Sequence, residues 1–171
     1  MGLNWHEDFI VHLARLLRPK LYVELGLFQC ALFNRIIPYA EKSIGVDRQP
    51  EAGTYMKQSQ DTRFIIGTTQ EFAKELEAKP LQINMLFIDA DYINAAVLRD
   101  FHEFFPYIAP HGLILLHDSY LENAEMMQPG LNGVANQAVE ILGWDTRSYE
   151  LMTIPVSRGL SIRRKRQIQL S

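Results

Sequence analysis

The sequence predicts an α/β fold: a doubly wound sheet of five parallel strands plus a C-terminal antiparallel hairpin strand. Three observations carry that prediction. Short apolar stretches alternate with stretches of helical periodicity along most of the chain, as parallel βαβ units require. Two strand candidates, INMLFI (83–88) and LILL (113–116), are almost wholly apolar, as expected when both sheet faces are covered. Two further strand-like stretches at the C-terminus, joined through Pro155 and Gly159, have no helix between them. That connection is too short for a parallel crossover, which takes about a dozen residues, so this pair is antiparallel.

Taken in order, Trp5 to Leu17 is a helix, with Trp5, Phe9, Leu13 and Leu16 at helical spacing and Pro19 as the stop. LYVEL (21–25) is a strand, followed by a helix over Ala31 to Tyr39. SIGV (43–46) is a second strand ending on Asp47, and RFII (63–66) a third ending on Gly67. Thr68 and Glu71 have the spacing of a capping box for a helix running to Leu76. After the 83–88 strand, Ile93 to Tyr107 is helical, with Val97, Phe101 and Phe104 or Phe105 on one stripe. Pro110 and Gly112 turn the chain into the 113–116 strand, and Val134 to Leu142 is the last helix. The hairpin comprises 144–154 and 159–165. The 171 residues fit one domain: an N-terminal helix (1–19), an alternating core (20–143), and a terminal hairpin and tail (144–171).

Composition excludes several function classes. A net charge of −3 offers nucleic acid no general attraction. Cys30 is the single cysteine, so the chain has no internal disulfide framework and no cysteine zinc cluster. No apolar run reaches about 18 residues, and the N-terminus lacks the pattern of a secretory signal, so a soluble cytoplasmic protein is expected.

In open parallel sheets ligands bind beyond the carboxyl ends of the strands, near the point where strand order reverses. The successive strand ends are Glu24-Leu25-Gly26, Asp47, Gly67-Thr68-Thr69, Asp89-Ala90-Asp91 and His117-Asp118-Ser119. Asp47 lies 21 residues beyond Gly26, a spacing that suits an acid accepting hydrogen bonds from ribose hydroxyls. Glu24 is more telling. A carboxylate at the end of a buried strand is costly unless it meets a cation or backbone donors. A pyrophosphate would repel it, and Phe28 would crowd a pyrophosphate on the following helix N-terminus. A ligand bearing an ammonium and a sulfonium would suit it.

These stretches together, VELGLFQC, Asp47, FIIGTTQEF, INMLFIDADY and APHGLILLHDSY closed by a hairpin, resemble the class I S-adenosylmethionine-dependent methyltransferases. The resemblance spans residues 20–164 and is strongest to the small-molecule O-methyltransferase branch with cephalosporin-hydroxylase-type and macrocin-type enzymes. It implies a Rossmann-like sheet, S-adenosyl-L-methionine as cofactor, and a small-molecule or sugar hydroxyl as acceptor. It implies that Glu24, Gly26 and Phe28 border the methionine part and that Asp47 holds the ribose, with Arg48 near the adenine. Gly67, Thr68, Thr69 and Gln70 would border the adenine ring, and Asp89 the amino group or transferring methyl.

His117, with Asp118 beside it, is the candidate base for the acceptor hydroxyl, because an imidazole titrates near neutral pH. An orienting role for His117 stays open. In metal-dependent relatives a divalent ion such as Mg²⁺ binds at the places of Asp89, Asp118 and Ser119; a serine replaces the usual amide here, which weakens that reading. Two alternatives remain: a non-catalytic domain of this kind that binds cofactor or a partner, and a NAD-dependent oxidoreductase, for which the loop glycines are missing. A second subunit completing a thinly covered acceptor site, as a homo-oligomer, also stays open. His6, His12, His102 and His111 read as surface or packing residues, and RRKR (163–166) as the frayed end of the last strand.

Overall fold

The computed structural model describes residues 4–89, 94–117, 147–156 and 159–168. Asp91, Asp118, Ser119, the loop from Tyr120 to Asn132 and the expected helix Val134 to Leu142 lie outside the described residues. The first helix, α1 (Trp5–Leu17), buries Ile10 and Ala14. It ends at Arg18 in the left-handed region, whose N–H donates to the Ala14 carbonyl, and Pro19 cannot continue it.

Seven strands form one sheet among the described residues: β1 (Leu21–Leu25), β2 (Lys42–Asp47), β3 (Thr62–Ile66), β4 (Ile83–Ile88), β5 (Ile108–His117), β6 (Tyr149–Ile154) and β7 (Leu160–Lys165). Their order is β3-β2-β1-β4-β5-β7-β6. The first five run parallel, and β7 is antiparallel to both β5 and β6. Between them lie α2 (Ala31–Ile36), α3 (Ala52–Tyr55), α4 (Thr69–Ala78) and α5 (Asn94–Phe104). The winding leaves β1 toward β3 on one side and restarts from β4 on the other, so the order reverses between β1 and β4.

Alternation along the strands divides the core into two layers. Leu21, Val23, Leu25, Leu86 and Ile88 cluster with Phe72 and Leu76 of α4 and with Phe101 and Phe104 of α5. Tyr22, Met85, Phe87 and Leu115 cluster with Ile10 and Ala14 of α1 and with Phe33 and Ile36 of α2. Each fully buried side chain of this size contributes roughly 1.5–3 kcal/mol. Truncating one would also leave a cavity in a close-packed layer.

The differences from the sequence reading have local causes. The helices at 31–39 and 93–107 close early, at Ile36 and Phe104, and each continues as one 3₁₀ turn containing Pro38 or Pro106. A proline has no N–H for the α-helical ladder. The strand expected at Leu113 begins at Ile108, because residues 109–112 form an irregularity within it: Ile83 pairs with Ile108 but Met85 pairs with Leu113. His111 takes φ 63° there. The short α3 has no signal in the periodicity, since four residues are barely one turn.

RRKR is not a frayed end. β7 is paired on both sides, and Arg163 is fully buried with its guanidinium 5.5 Å from the ring centres of Phe101 and Tyr149. Lys165 Nζ donates to the carbonyls of Phe105 (3.0 Å) and Ile108 (2.9 Å), while Arg164 and Arg166 pair with Glu150. The run is absorbed by the fold. Among the described residues no helix is long and apolar enough to cross a membrane.

Gly45 of β2 sets the packing under the β1–α2 loop. A Cβ there would lie 2.6 Å from Leu27 Cδ1 and 2.9 Å from Met56 Cε. Gly45→Ala is therefore expected to destabilise the fold by about 1–3 kcal/mol through overpacking. Urea unfolding measures this; an unchanged midpoint would contradict it.

Candidate functional site

The site is built where β1 gives way to α2. Gly26 adopts φ 85°, which a side chain disfavours, and its N–H donates to the Val46 carbonyl at 2.9 Å. Phe28 and Cys30 also sit in the left-handed region, at φ 47° and 55°. Two non-glycine residues in that region cost about 1–2 kcal/mol each, so the loop must be held from outside. Asp47 holds it. Its Oδ2 accepts from the N–H groups of Leu27 (2.8 Å) and Phe28 (3.1 Å), and its Oδ1 from Gln49 N–H (2.9 Å). Cys30 Sγ donates to the Ala52 carbonyl, and burial pushes the thiol up to about 11, so it is not a reactive thiolate at neutral pH.

Glu24, the last residue but one of β1, is 3% exposed. Tyr22 Oη donates to its Oε2 at 2.5 Å, and among the described residues no cation pairs with it. Burial raises the Glu24 carboxyl well above its ordinary value; the Tyr22 hydroxyl opposes that rise, and Asp89 and Glu7 add to it. An acid in this state gains from a cation placed beside it.

At the end of β3, Thr68 and Glu71 form the expected capping box. Thr68 Oγ1 accepts from Glu71 N–H at 3.2 Å, and Glu71 Oε2 accepts from Thr68 N–H at 2.7 Å. Thr69 Oγ1 donates to Asp100 Oδ1 of α5 at 2.8 Å. At the end of β4, Asp89 N–H donates to the Leu25 carbonyl, which fixes this acid beside β1. His117 Nδ1 lies 3.1 Å from Asp89 Oδ1. An ionised Asp89 only accepts, so Nδ1 is the donor of this bond.

Most of these groups border one cavity of about 660 Å³ beyond the carboxyl ends of the strands. Its wall includes Glu24, Gly26, Phe28, Asp47, Arg48, Gly67, Thr68, Thr69, Gln70 and Asp89, the ten positions the sequence assigned to a cofactor. Phe28 is 76% exposed at the rim. His117 is not on the wall but touches two residues that are, Asp89 and His6. Asp118 lies outside the described residues, and among the described residues no group of three or more His, Cys, Asp or Glu side chains is placed to hold a metal ion.

Two features escaped the sequence reading. His6, read as surface or packing, lines the cavity and stacks on His117 with ring centres 4.1 Å apart. Its position depends on how α1 crosses the sheet, which helical periodicity does not specify. Arg99 and Asp100 line the cavity from α5. Here a signal existed: Asp100 occupies the apolar stripe of Val97, Phe101 and Phe104 at i, i+3, i+4, i+7 spacing, an unusual place for an acid.

A family profile described as a methyltransferase domain matches residues 23–119, more than half the chain. The chain belongs to the methyltransferase-domain family. No curated protein matches it. Solved structures with this fold include an O-methyltransferase from Bacillus cereus in complex with SAH (12% identity, 97% of this chain and 83% of that one, TM-score 0.78). They also include an SAH-bound methyltransferase from Podospora anserina (13%, 98% and 80%, TM-score 0.77). The N-methyltransferase NodS from Bradyrhizobium japonicum is a third (13%, 98% and 100%, TM-score 0.68). At such identities the likeness is one of fold, and it joins oxygen and nitrogen methylation. In this methyltransferase domain the cavity lies at the β1/β4 reversal, where the fold places ligands.

The raised Glu24 carboxyl has a pH signature. A group raised on folding contributes its stability below its unfolded value, near 4.5, and that stability is lost as pH rises through the folded value. Glu24→Gln stays neutral throughout. Its melting temperature relative to the unmodified protein is expected to climb as pH rises above about 4.5 without ligand, and parallel curves would contradict this.

Proposed function

We propose that this methyltransferase domain uses S-adenosyl-L-methionine to methylate a hydroxyl of a small molecule or sugar. We place it in the O-methyltransferase branch that includes cephalosporin-hydroxylase-type and macrocin-type enzymes. The observation that carries the reading is Glu24: a buried carboxyl on the cavity wall, with Asp89 nearby, at the one end of the site suited to an ammonium and a sulfonium. A pyrophosphate there would meet like charge. The Bacillus cereus and Podospora anserina structures hold SAH in the same fold.

The cofactor would supply an electrophilic methyl group on its sulfonium. Glu24 and Asp89 bind its cationic end, while Asp47, on the same wall, retains acceptor capacity for a ribose hydroxyl beside its three backbone donors. Gly67 to Gln70 flank the base, with Arg48 close by. The remaining task is to take a proton from the acceptor hydroxyl while the oxygen attacks the methyl carbon. His117 is the residue assigned to take that proton on its ring, held through Nδ1 by Asp89 at 3.1 Å, and Asp118 follows in sequence. Alignment of oxygen and methyl supplies most of the remaining acceleration.

Calorimetry with SAH and transfer of labelled methyl groups to a panel of hydroxyl compounds test the reading. SAH at about 100 times its dissociation constant should stabilise the fold by roughly 2.7 kcal/mol. Glu24→Ala should weaken SAH at least about tenfold, the value of one charged hydrogen bond of about 1.5–3 kcal/mol. Absence of SAH binding to the unmodified protein would refute the proposal. Binding without transfer to any acceptor would favour a non-catalytic domain.

A further inference from the structure

Asp100 is a carboxylic acid at 1% exposure on the apolar stripe of α5, and it nevertheless borders the cavity. Its Oδ1 accepts from Thr69 Oγ1 at 2.8 Å, and Arg99 Nη2 lies 3.5 Å away. An ionised carboxylate has about four acceptor positions, and burying one without partners is costly. Helix packing alone would be served better by an apolar residue at this position. Methyl transfer does not use it either.

Its place in the cavity suggests its purpose. An acid at the end of the second strand marks the ribose. With the cationic end of the ligand at Glu24 and Asp89, the base lies beyond Asp47, against Gly67 to Gln70. Thr69 belongs to that stretch, and its hydroxyl is bonded to Asp100. Adenine carries an exocyclic amine, a donor, where hypoxanthine carries a carbonyl, an acceptor. A group that only accepts attracts the first and repels the second.

We infer that Asp100 determines the base specificity of the cofactor site, accepting a hydrogen bond from the exocyclic amine of adenine and rejecting a base with a carbonyl there. The inference rests on the S-adenosylmethionine reading above. Burial raises the Asp100 carboxyl above its ordinary value, with Glu103 adding to the rise, while the Thr69 hydroxyl and Arg99 oppose it and favour the ionised, accepting form.

Calorimetry with SAH and S-inosylhomocysteine tests it on the unmodified protein and Asp100→Asn. The unmodified protein should prefer SAH by at least about tenfold, as sites that pair a ligand's polar group discriminate strongly against its absence. Asp100→Asn, whose amide can present either a donor or an acceptor, should bind the two within about threefold. Thermal unfolding checks that Asp100→Asn is folded. Should it not fold, a crystal structure of the unmodified protein with SAH decides: the exocyclic nitrogen within about 3.2 Å of an Asp100 oxygen supports the inference, and one held only by loop backbone overturns it. Undiminished preference in folded Asp100→Asn, or equal binding by the unmodified protein, overturns the inference and leaves the cofactor reading standing. Binding of neither ligand by the unmodified protein overturns both.

Discussion

The site depends on one carboxyl group kept inside the sheet. Glu24 is the last residue but one of a strand on which all five residues are buried, and it receives a hydrogen bond from Tyr22 on the same face of that strand. Removing such a group from water without a cation is a standing cost. A protein of marginal stability carries a cost of that kind where function needs it. The location agrees: β1 and β4 are neighbours at the reversal of strand order, and Asp89 N–H on the next strand is bonded to Leu25 O, so two acids converge on one point.

Around that point the chain uses rigid backbone more than side-chain reach. Asp47 fastens the loop after β1 through Leu27 and Phe28. Leu27, 4% exposed, sits in the space that Gly45 leaves open. Gly67 N–H donates to the Asp47 carbonyl, which ties the ends of β2 and β3 together. A cavity with such walls is largely formed before a ligand arrives, which lowers the ordering cost of binding. The wall on the side of His6 and Glu7 is built differently, by α1, which is tied to α2 through Glu7 and Asp8 pairing with Arg35.

The fold was legible because parallel strands covered on both faces are apolar throughout, and INMLFI and LYVEL fell where the structure has them. Boundaries governed by proline chemistry, at Pro38 and Pro106, shifted by a turn. Cavity residues at strand ends were legible because sheet topology alone brings strand ends together. His6 was not, since it reaches the site through a helix whose crossing of the sheet is decided by packing. The basic run at 163–166 misled for a related reason: charge in a sequence does not reveal that Arg163 lies beneath Phe101 and Tyr149. Asp100 lay between these cases, visible as an acid on an apolar stripe but uninterpretable until α4 stood beside it.

The central claim is that Glu24 is a buried acid that a bound cation completes, and the affinity for SAH as a function of pH tests it most directly. Protonated Glu24 gives up its attraction for the ligand ammonium, and its raised value moves that loss above the ordinary range near 4.5. Calorimetry between about pH 5 and 8 should therefore show SAH binding more tightly as pH rises, with the dependence abolished in Glu24→Gln. An affinity that is flat with pH, or a dependence that survives in Glu24→Gln, would contradict the account.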